Sequence, residues 1–508
     1  MHPDNQRRIA VIVLLAFPIL AWLTAVQKTE QLWKPKYEAL WTMLKLTPEK
    51  PVLLSAAIGG LVFAIFVVWL IVQLGHSEFG GAPFKRFLRG TKLVSASRLK
   101  SKTTKRKQQQ ISIAGIPMPL SIEAFHLLLN GATGTGKSVL LRELAYSAML
   151  RGDRAVILDP NGDMYSKFGR EKDKILNPYD QRSQGWKFFN EIRNDYDFQR
   201  YGLSIVPRGR TEEAEEWASY GRLLLRETAR KLERMGQPSV SELFRWTTIA
   251  DPEDLREFLA GTMAESLFVG SSEATKALSS ARFVLSDKLP EHVSMPEGDF
   301  SIRSWLEDPD GGNLYITWRE DMAEAMKPLI SAWVDTVCTS VLSMPEDKNR
   351  RLWLIIDELA SMEKLASLEA ALTKGRKHGL RVAAGLQSTS QVEHIYGAKE
   401  AQTLRSCFRS LVVLGGSRTD PKTNEDMSLS LGEHEVERDK RSHSTGDKTT
   451  TNKSEERNRE RVVTAAEIAS LPELTGYVAF AGDHPIAKVK LEYKNFTSRL
   501  PAFVEGGI

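Results

Sequence analysis

A glycine-rich octapeptide carries the strongest chemical signal in this sequence of 508 residues. Residues 131–138 read GATGTGKS and match the phosphate-binding pattern GxxxxGK(S/T) in full. An apolar run from His126 to Leu129 predicts a buried strand before the loop, and a helix is predicted from Ser138 to about Arg151. Backbone N–H groups of such a loop point at phosphate oxygens, and the following helix directs its positive end at the same anion. We therefore predict a nucleotide site formed by Gly131, Ala132, Thr133, Gly134, Thr135, Gly136, Lys137 and Ser138.

Two further groups complete the predicted chemistry. In this pattern Lys137 reaches the β- and γ-phosphate oxygens of ATP, and the Ser138 hydroxyl faces Mg²⁺. The apolar run LWLII at 352–356 predicts a buried strand that ends in Asp357 and Glu358. An aspartate there can hold the Mg²⁺ hydration shell, and the adjacent glutamate can polarise the attacking water. Alone, such a pair would also fit a helix cap; the upstream loop favours the catalytic interpretation.

Arg376 and Gln387 are further candidates for the catalytic machinery. Arg376 lies in GRKHG at 375–379, after a predicted helix, and Gln387 follows the predicted strand 381–386. A cation there can simply complement the helix dipole, and a polar residue can simply cap a strand. Alternatively, Arg376 crosses a subunit boundary to stabilise charge on a neighbour's γ-phosphate, and Gln387 contacts that phosphate or the water.

The elements that must position these residues follow an α/β pattern. Apolar strands alternate with helices over residues 111–184 and 301–508, which we predict to form one ATPase domain. Residues 185–300 show helical periodicity and are predicted to form an inserted all-α domain. Residues 433–461 are nearly devoid of apolar side chains, which predicts an exposed polar loop within the ATPase domain, either a hairpin or a mobile loop.

The N-terminal region predicts a transmembrane hairpin, residues 1–75. Residues 9–26 and 52–74 carry no charge and are long enough to approach or cross a bilayer. A basic cytoplasmic linker is predicted at 76–110, with ten cations against one acid, Glu78. Because basic segments next to membrane spans remain on the cytoplasmic side of the membrane, both termini are expected in the cytoplasm. The linker itself suits either anionic lipid or a nucleic-acid path.

A stripe of small residues marks the second predicted span. Ala56, Gly60 and Ala64 recur every fourth residue, which allows another helix to approach closely. The stripe fits packing within the hairpin or contact with a partner in the membrane. The net charge of +5 is modest, and the two cysteines fit packed free thiols rather than a secretory disulfide framework.

Taken in order, the motifs resemble a known family. Two N-terminal spans, a basic segment, GATGTGKS, DPNGD, an all-α insertion, LWLIIDELAS, GRKHG and GLQS together resemble the type IV secretion coupling proteins of the TraD and TraG kind. The resemblance implies a RecA-like P-loop domain that binds ATP and Mg²⁺ between the subunits of a homo-hexamer. It maps the phosphate loop on Gly131 to Ser138, the acidic strand end on Asp357 and Glu358, the trans-acting arginine on Arg376 and the glutamine on Gln387.

The same resemblance implies a location and a task. The expected location is the bacterial inner membrane, with two passes. The expected partners are single-stranded DNA bound to a relaxase, relaxosome proteins and inner-membrane components of the secretion system. Two other hypotheses stay open: an FtsK-like pump for double-stranded DNA, and a non-motor receptor or scaffold that ATP gates.

Overall fold

The computed structural model describes residues 3–30, 37–75, 84, 86–270, 272–444 and 450–506, which fall into two compact units. The smaller unit takes residues 1–90 and 433–461, and the larger unit takes 91–432 and 462–508. In chain order the strands are β1 Arg86–Gly90, β2 Leu93–Ser95, β3 Ser112–Ile113, β4 Ile116–Pro117, β5 Leu127–Asn130, β6 Arg154–Pro160, β7 Lys174–Leu176, β8 Leu314–Trp318, β9 Leu352–Ile356, β10 Leu380–Leu386, β11 Ser410–Leu414, β12 Glu433–Ser444, β13 Thr450–Arg461, β14 Thr475–Ala479 and β15 Ile486–Lys490.

The α-helices are distributed over both units. They are α1 Pro3–Glu30, α2 Tyr37–Leu46, α3 Pro51–Gly75, α4 Ala96–Thr103, α5 Leu120–Glu123, α6 Lys137–Arg151, α7 Asp163–Phe168, α8 Asp195–Ile205, α9 Glu212–Arg234, α10 Val240–Phe244, α11 Pro252–Leu259, α12 Ser272–Lys288, α13 Pro290–Val293, α14 Ile302–Glu307, α15 Ala323–Ser343, α16 Leu368–Lys374, α17 Thr389–Tyr396, α18 Ala398–Ser406, α19 Pro421–Leu431 and α20 Ala465–Ala469.

In the smaller unit, α1 and α3 pack together as a hairpin of apolar helices. Segments Val11–Thr29 and Pro51–Leu70 are long and apolar enough to cross a membrane, by length and composition alone. Gly60 lies at the closest approach, since a β-carbon there would sit 2.8 Å from Ala21 Cβ. Ala64 is fully buried. The small-residue stripe is thus used, at least in part, for packing within the hairpin.

The polar segment 433–461 forms a hairpin, which is one of the two predicted alternatives, but not in the predicted domain. In the residues described, it forms the antiparallel strands β12 and β13, and β1 pairs with β12. The resulting sheet belongs to the smaller unit rather than to the predicted ATPase domain. The physical reason is charge pairing, because Glu435 lies opposite Arg459 on one side and Arg89 on the other. Positions 445–449 of the predicted loop lie outside the described residues.

The larger unit is built on a 10-stranded sheet with the order β2-β15-β14-β11-β5-β10-β9-β6-β8-β7. Every strand except β14 runs in the same direction. Side chains alternate between two cores: Leu127 and Leu129 face one, and Leu128 faces the other. Helices cover both faces, as a buried and mostly parallel sheet requires.

The predicted all-α insertion corresponds to a helical region. Helices α8 to α13 occupy residues 195–293, and strand β8 resumes the sheet afterwards. The region shares one continuous core with a face of the sheet, through residues such as Phe198 and Leu285 packed with Trp333 of α15. Glu191, at its entrance, accepts hydrogen bonds from the backbone of Ile302 and Arg303 at its exit. The insertion therefore begins and ends at one buried point.

The predicted linker 76–110 also needs correction. Residues 76–83 and 85 lie outside the described part of the chain, but from residue 91 onward the segment belongs to the larger unit. Strand β2 pairs with β15 at the edge of the main sheet. Helix α4 follows and buries Leu99 completely. The basic composition of the segment concealed these two elements in the sequence. Its few apolar side chains are enough to attach it to the core, because they are spaced so as to face it.

Candidate nucleotide-binding site

The predicted catalytic segments converge at one edge of the sheet. The phosphate loop follows β5, Gln387 follows β10, and Asp357 with Glu358 follows β9. These three strands are adjacent and parallel, so their carboxyl ends meet at the same edge. Register brings the groups close, because Leu386 pairs with Asn130 and Ala384 pairs with Ile356. Such an edge is where α/β sheets bind ligands.

The phosphate loop is tied to the strands on both sides. The Gly131 N–H donates to Leu386 O at 3.1 Å, and the Ala132 N–H donates to Gly415 O at 2.8 Å. Gly136 has φ +117°, and a β-carbon there would lie 2.7 Å from Leu491 Cδ1. Glycine is therefore required at this position.

The loop also offers free backbone donors. Within the described residues, the N–H groups of Gly134, Gly136, Lys137 and Ser138 have no hydrogen-bond acceptor. They lie at the start of the 15-residue helix α6. This cluster of N–H groups suits a phosphate anion.

Lys137 turns back over the loop. Its Nζ donates to Gly131 O at 2.8 Å and to Ala132 O at 3.3 Å. Burial lowers the pKa of Lys137, while Glu358 and Asp357 oppose that shift. The ammonium group therefore lies between the loop and the two carboxylates, where it can meet an incoming phosphate.

Ser138 and Asp357 are in direct contact. Ser138 Oγ lies 3.1 Å from Asp357 Oδ1 and 3.3 Å from Oδ2. Burial raises the pKa of Asp357, and the bond from Ser138 with the charges of Lys137 and Arg142 opposes the rise. The Ser138 and Asp357 oxygen atoms at this spacing can act as ligands of a hard cation such as Mg²⁺, which takes only one or two protein ligands beside phosphate and water.

Glu358 lies close enough to Lys137 for their charges to interact. Burial raises its pKa, and hydrogen bonds from the Ala360 and Gln387 backbone oppose the rise. The Gln387 backbone is therefore within hydrogen-bond reach of the Glu358 carboxylate. Gln387 itself follows β10, the strand that pairs with β5 beside the phosphate loop. This arrangement can hold and polarise a water molecule beside a bound phosphate.

Two residues not singled out from the sequence also support the site. Asp159 is the second-last residue of β6, next to the end of β9 that Asp357 follows. It accepts hydrogen bonds from the N–H groups of Met164 and Tyr165 at 2.8 and 2.7 Å. Arg142 donates to Ser138 O at 3.1 Å and to Asp163 Oδ2 at 3.3 Å. Its spacing of four residues from Ser138 on one helix was the signal available in the sequence.

Arg376 does not join this cluster within one chain. It lies before β10, and its guanidinium carbon is 4.3 Å from the centre of the Phe125 ring, which precedes β5. Strand β5, Leu127–Asn130, separates Phe125 from Gly131, and its four extended residues span roughly 13 Å. Arg376 therefore lies at the opposite edge of the sheet from the phosphate loop, in a cleft of about 770 Å³.

Known proteins with similar sequences and structures include conjugation proteins. The Coupling protein TraD of Escherichia coli (strain K12) is 32% identical over 422 residues, 78% of this chain and 57% of TraD. The Conjugal transfer protein TraG of Agrobacterium fabrum is 24% identical over 199 residues, 39% of this chain and 30% of TraG. This chain thus spans less than two thirds of both proteins.

Solved structures match over a larger share. The unbound bacterial conjugative coupling protein TrwBdeltaN70 is 73% identical, with a TM-score of 0.81, covering 85% of this chain and 100% of that one. TrwB with ADP and Mg²⁺ has the same identity and coverage, with a TM-score of 0.80. TrwB has also been solved with the non-hydrolysable ATP analogue ADPNP. This likeness confirms the predicted fold class, a RecA-like P-loop domain with an all-α insertion. Since residues 110–492 match the model of the type IV secretion-system coupling protein DNA-binding domain, the chain belongs to that family.

Proposed function

We propose that this protein is a DNA-dependent ATPase of the bacterial inner membrane that couples a relaxase–DNA complex to a type IV secretion channel and drives DNA transfer in conjugation. The observation that carries the proposal is the meeting of Lys137, Ser138 and Asp357 at one sheet edge. Relatives named for coupling and conjugal transfer give the task.

The residues present fit ATP and Mg²⁺, the ligands found with TrwB as ADP, ADPNP and Mg²⁺. The free N–H groups of the loop and Lys137 would hold the phosphates. Ser138 and, through water, Asp357 would hold Mg²⁺, which when bound neutralises charge on the phosphate oxygens. Glu358 would orient and polarise the water, and the Gln387 side chain would contact the γ-phosphate or that water.

Arg376 supports the proposal of a ring. Because it lies at the edge of the sheet opposite its own phosphate loop, it is suited to reach the nucleotide of a neighbouring subunit. A homo-hexamer with sites between subunits would place every Arg376 in that position. Hydrolysis at each boundary would then move DNA through the ring, with contacts to phosphates that tolerate any sequence.

The membrane arrangement is also proposed. The two apolar helices would span the inner membrane twice, with both termini in the cytoplasm. Inner-membrane components of the secretion system would meet the hairpin there. The relaxase and relaxosome proteins would approach from the cytoplasm.

A Glu358→Gln variant tests whether hydrolysis drives transfer. It keeps the loop and Asp357, so we expect nucleotide binding and assembly at normal levels with turnover reduced at least about 100-fold. Conjugative transfer should be lost. The matched control is Glu171→Gln, an exposed glutamate before β7. Normal transfer by the Glu358→Gln variant would favour the ATP-gated receptor over the motor.

The DNA substrate is tested by ATP turnover of the full chain in lipid nanodiscs. We expect single-stranded DNA to stimulate turnover, most strongly at low salt. Stimulation by double-stranded DNA alone would favour the FtsK-like pump.

A further inference from the structure

A dense set of cations follows the smaller unit in the chain. Arg98, Lys100, Lys102, Lys105, Arg106 and Lys107 are all exposed, and we call them the basic surface. Residues 91–110 contain no aspartate or glutamate. Within the described parts of the chain, none of the six forms an ion pair. Their charge is therefore available to a partner.

The basic surface is held in place rather than tethered loosely. Helix α4 buries Leu99 and Thr103 and packs against β4 and β15. The turn that follows is closed by Gln110, whose Oε1 accepts from the Lys105 N–H at 2.7 Å. Gln110 Nε2 donates to the carbonyls of Thr103 and Met118, both at 3.0 Å. Three consecutive cations at 105–107 are thus presented on a fixed turn.

The border of the surface is formed by the turn between β14 and β15. His484 lies there, and its pKa is lowered by burial and further by Lys102 and Lys105, against the effect of Asp483. Asp483 is the acid that this turn brings near. Six exposed cations in a stretch without an acid, residues 91–110, make the surface strongly positive.

We propose that the basic surface binds the anionic phospholipid headgroups of the membrane that holds the N-terminal helices. The second candidate span ends at Leu70, and the surface begins 28 positions later, at Arg98. A cluster of four to eight Lys and Arg after a span is typical of sites for anionic lipid. Single-stranded nucleic acid instead favours aromatic side chains on which bases stack, and residues 91–110 contain none.

This inference rests on the proposed membrane anchor and not on the proposed ATPase. Contact with the bilayer would add a second, charge-dependent attachment to the one that the hairpin provides. Bilayer charge would then influence how the larger unit is held, independently of nucleotide.

The test uses the full chain in nanodiscs of zwitterionic phosphatidylcholine with increasing fractions of phosphatidylglycerol. A fluorophore is attached at Ser101→Cys, an exposed position on α4, in a Cys407→Ser background. Quenching by a headgroup spin-labelled lipid reports contact with the bilayer. We expect quenching to rise at least about threefold with the anionic fraction and to disappear at about 0.5 M salt, where the Debye length is only about 4 Å.

Two variants separate this contact from general charge effects. Changing Arg98, Lys102, Lys105 and Lys107 to Gln should abolish the rise. The matched control changes Lys276, Lys399 and Lys494 to Gln, which are exposed elsewhere on the larger unit, and should leave it intact. Gln110→Ala keeps every charge but releases the turn, and should weaken the effect partially.

Other results would overturn the inference. A lipid site here is ruled out if quenching does not depend on bilayer charge. It is also ruled out if the control variant loses as much quenching as the variant of the basic surface. Displacement of the label from an anionic bilayer by single-stranded or double-stranded DNA would assign the surface to nucleic acid instead. Failure of the unlabelled chain to stay in neutral nanodiscs would contradict the anchor; pelleting with phosphatidylglycerol vesicles would then still test the surface.

Discussion

The Ser138 hydroxyl donates a hydrogen bond to the Asp357 carboxylate at 3.1 Å, although 219 positions separate the two residues in the chain. The contact joins the first residues of α6 to the end of β9, across the intervening strand β10. Two halves of a metal site are thus positioned by the sheet before any ligand arrives. Preorganisation of this kind lowers the ordering cost of binding.

The Mg²⁺ dependence of nucleotide binding should follow from this pair. With Asp357→Asn, the Mg²⁺ concentration for half-maximal binding of an ATP analogue should rise about 10-fold or more, since the carboxylate charge is lost. Ser138→Ala should shift it in the same direction. A fluorescent nucleotide titrated with Mg²⁺ measures both. Ser343→Ala, which removes a hydroxyl bonded only within its own helix, serves as the control; an unchanged Mg²⁺ requirement in Asp357→Asn would contradict the assignment.

Mixing two inactive subunits should restore ATP turnover if Arg376 acts on a neighbour. Subunits with Lys137→Ala lack the phosphate-binding amine, and subunits with Arg376→Ala lack the guanidinium at the opposite edge of the sheet. Some mixed boundaries keep both groups, so turnover should peak at an intermediate ratio. A steady-state phosphate assay across ratios detects the peak.

The control for this experiment replaces a neighbouring arginine. The guanidinium carbon of Arg409, the residue just before β11, lies 4.2 Å from the centre of the same Phe125 ring. Arg409→Ala subunits should retain turnover without any mixing. If no ratio of the Lys137→Ala and Arg376→Ala subunits recovers activity, Arg376 acts within its own chain or supports the fold.

Gly385→Ala should damage both stability and the site. A β-carbon at Gly385 would lie 1.8 Å from the Asp357 carbonyl oxygen, so β9 and β10 would have to separate where the acidic pair begins. We expect a loss of about 1–3 kcal/mol in the free energy of unfolding, and weaker Mg²⁺-dependent binding. Thermal unfolding and nucleotide titration measure the two effects. Gly202→Ala in helix α8 should instead be tolerated, because a β-carbon there would lie 3.9 Å from the nearest atom, Arg222 O of α9.

Much of the site could be predicted because its residues are close to the ends of apolar strands. GATGTGKS, Asp357 and Gln387 each follow a run of buried side chains, and parallel strands bring such ends together. The close packing of Gly385 on Asp357 could not be foreseen, since it depends on register between strands. The sequence motif DPNGD gave Asp159 no role in the site, because the adjacency of β6 and β9 is visible only in the structure.

The two errors in domain assignment share a cause. Strand β2 has three residues in a basic stretch, and β12 with β13 consists largely of charged and polar side chains. Neither shows the apolar alternation that identifies a strand from sequence alone. Their stability comes from pairing with distant strands, β15 for β2 and β1 for the hairpin, which local pattern does not reveal. Apolar runs identified β5, β9 and β10, which end at the site, but not β2 or the pairing of β1 with the hairpin.

The buried carboxyl of Asp159 should make stability depend on pH. Burial raises its pKa to about 7, against hydrogen bonds from two backbone N–H groups. Because an unfolded aspartate titrates near 3.9, the folded state holds a proton that the unfolded state has lost between these values. The stabilisation is therefore complete below about pH 4 and is lost as the pH rises through 7, with a slope of up to about 1.4 kcal/mol per pH unit.

Asp159→Asn stays neutral and should flatten this dependence between pH 5 and 7. Unfolding midpoints in denaturant, followed by tryptophan fluorescence over this range, measure the slopes for the two proteins. The variant loses one acceptor oxygen, so its stability should be lower by a similar amount at every pH, which leaves the slope as the readout. Asp310→Asn, at an exposed position, should keep the original slope. Equal slopes in the Asp159→Asn variant and the unmodified protein would show that Asp159 is ionised throughout, and its charge would then lie beside Asp357 and oppose that carboxylate directly.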